Sequence, residues 1–309
     1  NIDQVSMMGQ DSINTGGYRP DLLQAVADLQ PPIIRWPGGC FASLYLWKDA
    51  VGPQHERIQY NAYMWDDQDT NSYGTDEFIQ MCHQMGTEPL LVINTGITNS
   101  ACGGTSQWRL DPDTEEHYIQ YALDWMEYCN GDSNTTTWGA VRAINGHPEP
   151  YNVTYWEIDN ETWHAGSATY SYVVQTFAPV LRAKATELGV PVKLIACGGN
   201  GYDSGWNDAI LANCADLIDY ISLHYYEGSN FTTAPLNYEA FLADLAVDIA
   251  NSSNPDLRIY NSEWNFQSTD WRTGLYAGGT LNAYERQGAY FEIGGPALFL
   301  RHQSASGWD

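Results

Sequence analysis

Tyr155-Trp156-Glu157-Ile158-Asp159-Asn160-Glu161-Thr162-Trp163 is the stretch on which the reading of this chain turns. It opens as a strand, with Val153, Tyr155 and Trp156 β-branched or aromatic and Pro148 and Pro150 punctuating the approach. It closes on a carboxylate set between an amide and indoles, where a strand should give way to a loop. Among apolar rings a carboxyl pKa rises, because desolvation penalises the charged form. A general acid working near neutral or mildly acidic pH needs that shift. Alone, an Asn-Glu pair is more often a strand end with an ordinary surface carboxylate.

A second stretch changes the balance. Arg258-Ile259-Tyr260-Asn261-Ser262-Glu263-Trp264-Asn265 repeats the design: a short apolar run, then Glu among polar and aromatic neighbours. Two such carboxylates on different strands of one parallel barrel converge at its C-terminal mouth. Glycoside hydrolysis needs such a pair, one to protonate the leaving oxygen and one to attack or to activate water.

On either side of these stretches, strands and helices alternate. The spacing predicts a short strand at Val5–Met8, a helix over Asp21–Leu29 and a buried strand at Ile33–Trp36. Thr75 is expected to cap a helix that Gly86 ends, and Pro89–Asn94 reads as another buried strand. A helix opens at Asp111-Pro112 and runs past Cys129; a second covers Tyr170–Leu188, with Pro179 as a kink. Strands follow at Val192–Cys197, Ile218–Tyr225 and Leu257–Tyr260, with a helix at Phe241–Ile249. A final helical region is expected from Leu281 to Arg301, interrupted by Gly294-Gly295-Pro296. Near-continuous apolar strands between helices predict a parallel sheet covered on both faces. The expected fold is an α/β (β/α)8 barrel over residues 1–309, without internal repeat or linker. With Val5–Met8 as the first strand, Glu161 follows strand four and Glu263 strand seven, and the last strand is missing.

Composition narrows the function. With 38 acidic against 13 basic residues, the formal charge is −25. Such a surface repels phosphate backbones and anionic membranes, so neither nucleic acid nor membrane is expected as a partner. No apolar run approaches the ~20 residues that span a bilayer. Twelve Trp and 21 Tyr argue against acidic disorder, and rings not used in the core can stack on sugar faces. Cys40, Cys82, Cys102, Cys129, Cys197 and Cys214 make no CxxC or His/Cys cluster, so no metal is expected. No Gly-rich phosphate cradle precedes a Lys, so no nucleotide cofactor is expected. His147, His224 and His302 read as hydrogen-bonded structural residues. Glycosylation sequons stand at Asn134, Asn152, Asn160, Asn230 and Asn251. Together with an even cysteine count they favour a secreted, extracellular protein. Asn160 is expected to be bare, because a glycan there would block the site.

In order along the chain come Arg19-Pro20-Asp21-Leu22, Arg35-Trp36-Pro37-Gly38-Gly39-Cys40-Phe41, Trp47 with Val51-Gly52-Pro53, and Gly146-His147-Pro148-Glu149-Pro150. Then follow Trp156-Glu157-Ile158-Asp159-Asn160-Glu161, Ile221-Ser222-Leu223-His224-Tyr225-Tyr226, Ser262-Glu263-Trp264-Asn265 and Leu298-Phe299-Leu300-Arg301-His302. This ordered set resembles the retaining α-L-arabinofuranosidases of glycoside hydrolase family 51, and is closest to the large eukaryotic secreted type. The resemblance implies Glu161 as acid/base, Glu263 as nucleophile, Asn160 on the sugar 2-hydroxyl and Tyr226 holding the nucleophile. It also implies Arg35 and Cys40 near the floor of the site, and Asn94 and Trp264 along the sugar pocket. Cys40 reads equally well as a structural or disulfide cysteine, and Asn94 and Trp264 as packing.

Family members are longer, with an accessory β-sandwich, and in the large members the first barrel strand can lie upstream of an inserted module. Val5–Met8 then need not be the first strand. Nothing here matches the substrate-binding Glu of that strand. Two unpaired sheet edges need partners, so a remaining segment of the same precursor is an expected partner. Arabinoxylan and arabinan are the expected substrates. Two other readings stay open: a β-glycanase or β-xylosidase of the same clan, since fold does not fix substrate, and a carbohydrate-binding barrel without catalysis. Two opposed carboxylates argue against the last.

Overall fold

The computed structural model describes residues 7–57, 60–64, 67–97 and 115–297. In chain order its strands are β1 (Ile33–Trp36), β2 (Tyr60–Met64), β3 (Asp67–Asp69), β4 (Glu88–Ile93) and β5 (Tyr155–Ile158). They continue as β6 (Lys193–Asn200), β7 (Tyr220–Glu227), β8 (Arg258–Phe266) and β9 (Phe291–Pro296). β2 and β3 form a separate antiparallel hairpin. The other seven make one parallel sheet in the order β1-β4-β5-β6-β7-β8-β9. α1 (Gln10–Asn14) and α2 (Pro20–Asp28) precede β1, and the crossovers hold α3 (Thr75–Met85), α4 (Glu115–Asn130), α5 (Thr137–Ile144), α6 (Ser167–Leu188), α7 (Ser204–Cys214), α8 (Ala234–Ala250) and α9 (Trp271–Arg286).

Strand side chains alternate between two cores, as a period of two requires. Leu91, Ile93, Trp156, Ile158, Ile221 and Leu223 pack outward beneath the helices. Leu90, Val92, Ile195, Tyr220 and Tyr260 point the other way and share a smaller cluster with Ala42. Ile33 on one edge strand and Ile293 on the other both join that inner cluster. Residues at opposite edges of a sheet meet only if the sheet curls on itself, so this is a nearly closed barrel with a packed floor. Most of the tryptophans serve the outer layer: Trp36 stacks on Phe78 and Trp47 on Trp125.

Two sequence expectations about the barrel's ends are corrected. Val5 lies outside the described residues, while Met7 and Met8 are described, belong to no strand and are exposed. Of the region expected as a helix from Leu281 to Arg301, the described residues up to 297 hold instead the end of α9 followed by β9, and residues 298–301 lie outside the described residues. A strand therefore does follow the one that bears Glu263, and among the described residues the barrel's gap lies between β1 and β9. Glycines hid it. A Cβ on Gly294 would come within 3.2 Å of the Tyr284 ring, and one on Gly295 within 3.0 Å of the Ser262 carbonyl oxygen. In a strand such glycines mark close backbone approach, whereas in a helical reading they look like breakers. Glu161 and Glu263 are still three strands apart, as expected, after β5 and on β8.

Smaller differences concern helix ends. Gly74, not Thr75, is the N-cap of α3, and its N–H is satisfied by the Glu77 carboxylate at 2.8 Å. α8 begins seven residues before the expected Phe241. The expected start at Asp111-Pro112 lies outside the described residues.

Candidate active site

Above the apolar floor the barrel interior turns polar. Glu157 sits one inward position above Tyr155 on β5 and is wholly buried. A buried carboxylate persists only with partners, and Glu157 has two. Arg35, an inward residue of β1, donates from Nε to Glu157 Oε2, and Ser222 on β7 donates to Oε1 at 2.7 Å. The rest of the guanidinium faces upward. Its Nη1 donates to Glu263 Oε1 at 3.0 Å and its Nη2 to Asn160 Oδ1 at 2.6 Å. One planar fork thus ties together three strands 122 to 228 residues apart in sequence.

The end of β5 is bent to aim two residues. Asp159 and Glu161 adopt left-handed backbone, with φ of 63° and 48°. Non-glycine residues there cost free energy and persist only when their surroundings hold them. Asp159 supplies the hold: its buried carboxylate accepts from the Thr95 hydroxyl and Thr95 N–H, from the Ser43 hydroxyl and from Asn160 N–H. Burial raises the Asp159 pKa against the lowering effect of these donors. Asn160 is itself fully buried, and among the described residues its Nδ2 has no hydrogen-bond partner.

Glu263 owes its direction to a bulge. β7 and β8 pair Leu223 with Asn261 and then His224 with Glu263, so Ser262 is an extra residue. Strict alternation from the inward Tyr260 would turn Glu263 out toward the helices. The bulge reverses the phase and brings Glu263 inside. There it accepts from Tyr226 OH at 2.7 Å as well as from Arg35, and His224 Nδ1 lies 3.6 Å away. Burial works against the charged form of Glu263, but the charges of His224 and Arg35 and the Tyr226 and Arg35 hydrogen bonds outweigh it. The carboxyl is held below the usual range.

His224 Nδ1 lies 2.8 Å from Glu161 Oε1. Burial disfavours its imidazolium, yet the neighbouring Glu263 and Glu161 carboxylates raise its pKa. Oxygens of Glu161 and Glu263 and a ring nitrogen of His224 all lie within 4.8 Å of one another. Such a donor set could formally take a cation. It would have to compete with Arg35, which already holds Glu263, and with His224, which already holds Glu161.

Cys40 is buried with Sγ 3.5 Å from Glu161 Oε2, and it is disulfide-bonded. Cys82, Cys129, Cys197 and Cys214 carry free, buried thiols, and Cys102 lies outside the described residues. An even cysteine count was a poor guide to pairing. Asn94 spends its amide on the backbone, donating to Tyr45 O at 3.4 Å and accepting from Gly96 N at 2.9 Å. Trp264 points outward and packs edge-on against Tyr284 rather than joining the carboxylates. Glu157, Asp159, Ser222 and His224 were not singled out for the site. The signal was there: Glu157, Ser222 and His224 are polar residues at inward positions of otherwise apolar strands.

Residues 25–241 match the Alpha-L-arabinofuranosidase 1 domain. The chain belongs to this family, the arabinofuranosidases of glycoside hydrolase family 51. Family relatives include the probable alpha-L-arabinofuranosidase C of Aspergillus clavatus, 33% identical over 287 residues, covering 83% of this chain and 52% of that protein. The Aspergillus flavus counterpart is 34% identical over 275 residues, with 82% and 49% covered. The alpha-L-arabinofuranosidase of Thermotoga maritima, solved as an arabinose complex, superposes with a TM-score of 0.78 at 30% identity, covering 91% of this chain and 58% of that one. This chain thus spans about half the length of the curated arabinofuranosidases it matches. Glu263 falls beyond residues 25–241, the stretch that the family's domain matches.

Proposed function

We propose that this chain supplies the catalytic barrel of a retaining, exo-acting α-L-arabinofuranosidase that releases arabinofuranosyl branches from arabinoxylan or arabinan. The observation that carries the proposal is the carboxylate pair. Oxygens of Glu161 and Glu263 approach within 4.8 Å. An inverting enzyme separates its carboxyls by roughly 6.5–9.5 Å to seat a water, and a retaining one by ~5–5.5 Å. In the first step Glu263 attacks the anomeric carbon as the glycosidic bond breaks, and Glu161 gives its proton to the leaving oxygen. In the second, Glu161 takes a proton from water, the water oxygen bonds to the anomeric carbon, and the Glu263 carboxylate departs. Tyr226 and Arg35 keep Glu263 ionised for attack, and Asn160 Nδ2 is left to donate to the sugar 2-hydroxyl. A panel of nitrophenyl glycosides tests the reading. Turnover of the α-L-arabinofuranoside is expected to exceed that of the β-xyloside and β-glucoside; a preference for either pyranoside would overturn it.

Among the described residues β1 and β9 have no strand beside their outer edges, and such edges expose backbone donors and acceptors that need partners. The native protein is therefore proposed to hold a further segment of its own precursor in that gap, and to be secreted and glycosylated. Asn134, Asn152 and Asn251 are exposed and Asn230 is half-buried, whereas Asn160 is enclosed. Mass spectrometry of the native purified protein is expected to find additional polypeptide. Glycans are expected on Asn134, Asn152, Asn230 and Asn251, at least in part. A sugar on Asn160 of active enzyme, or an active unglycosylated 309-residue monomer, would count against these points.

A further inference from the structure

We propose that Glu157 is a positioning residue that sets the ionisation and the aim of Glu263 through Arg35, a role that rests on the retaining reaction proposed above. Glu157 does not touch the site's open space: it is 0% exposed and lies one layer below the carboxylate pair. Its two oxygens are fully committed, Oε2 to Arg35 Nε and Oε1 to Ser222 Oγ, and Ser222 Oγ is itself 3.3 Å from the Ala196 carbonyl. This fixes the plane of the guanidinium from beneath. Nη1 and Nη2 then have only one way to point, toward Glu263 and Asn160.

A buried Arg–Glu pair adds little stability compared with an apolar pair of the same volume, since both charges are desolvated. Its presence at this spot is better explained by what Arg35 does next. With Glu157 in place, the guanidinium is already paired and offers Glu263 a single hydrogen bond. Without Glu157, the full positive charge would fall on Glu263. The nucleophile would then be more strongly paired and less basic. The other charged and titratable groups around this cluster are His224 and Tyr226 on β7, Tyr260 on β8, the buried Cys197 thiol on β6 and Glu161 after β5. None of them touches the Nε edge that Glu157 holds.

The test is Glu157→Gln in the full chain, with Glu157→Asp as the charge-keeping control. On the nitrophenyl α-L-arabinofuranoside, Glu157→Gln is expected to lower kcat by about 10–10²-fold, the cost of misplacing a reacting group by an ångström. KM should change less, and the acidic limb of the pH profile should move to lower pH. Glu157→Asp should keep that limb near its original place. A readout independent of turnover is the Glu263 carboxyl titration by carbon-13 NMR, assigned with Glu263→Gln. In Glu157→Gln it should titrate at lower pH than in the unsubstituted protein. That shift together with an inactive unsubstituted protein would sink the functional reading and leave this inference standing. A folded Glu157→Gln with unchanged kcat and unchanged Glu263 titration would overturn the inference, even if its Tm fell. Should Glu157→Gln fail to fold, Ser222→Ala decides: a several-fold fall in kcat per folded molecule supports the role, and an unchanged kcat refutes it.

Discussion

Glu263→Ala is expected to remove arabinofuranosidase turnover by a factor on the order of 10⁴ or more, the scale seen when a nucleophile is deleted. The reason is geometric as well as chemical. Glu263 is the inward carboxylate that the Ser262 bulge turns toward the barrel axis, and Arg35 and Tyr226 hold its two oxygens separately. The truncation leaves those two donors without an acceptor, at a cost of about 1–3 kcal/mol, which a barrel of this size should survive. Circular dichroism and Tm would confirm that the loss is not unfolding. The vacated space should admit a small anion such as azide. It would attack the anomeric carbon from the Glu263 side while Glu161 still protonates the leaving oxygen, giving an arabinosyl azide of inverted configuration. A variant that retains more than about a hundredth of the original kcat, well above the loss expected for a nucleophile, would show that Glu263 does not form the bond to sugar.

Glu161→Ala separates the two chemical steps. Loss of the acid should cost ~10²–10⁴-fold on substrates whose leaving oxygen needs a proton. On nitrophenyl substrates, which leave without help, the first step should survive and the glycosyl-enzyme should accumulate as a burst. Azide should then speed turnover by replacing the activated water, and the product azide should keep the substrate's configuration. Retained configuration here against inverted configuration in Glu263→Ala follows from which face each attack takes. Azide rescue with the opposite pattern would exchange the two roles and overturn the assignment.

The sequence by itself determined much of this protein. The Tyr155–Trp163 and Arg258–Asn265 stretches announced strands ending near carboxylates, and the alternation of apolar runs with helical segments announced a parallel barrel. Both are local signals: side-chain period, β-branched and aromatic enrichment, and turn residues leave their mark within ten residues. The sequence also brought out Arg35, Asn160, Tyr226 and Cys40, through ordered motifs rather than through any contact.

Tertiary structure alone decided the rest. Whether Glu263 faces the barrel axis or the helices depends on one extra residue, Ser262, in the pairing of β7 with β8, and register is a property of two strands. Whether Phe291–Pro296 is a strand depends on its backbone lying against Tyr284 and Ser262, which turns two glycines from breakers into a requirement. Trp264 looked like a sugar platform beside Glu263, but the same bulge that turned Glu263 in turned its neighbour out. Glu157 looked like one more acidic residue of an acidic chain. Only the strand order, with β1 and β5 flanking β4, brings Arg35 from 122 residues away to its carboxylate, and a buried charge acquires its role from the partner that the fold supplies.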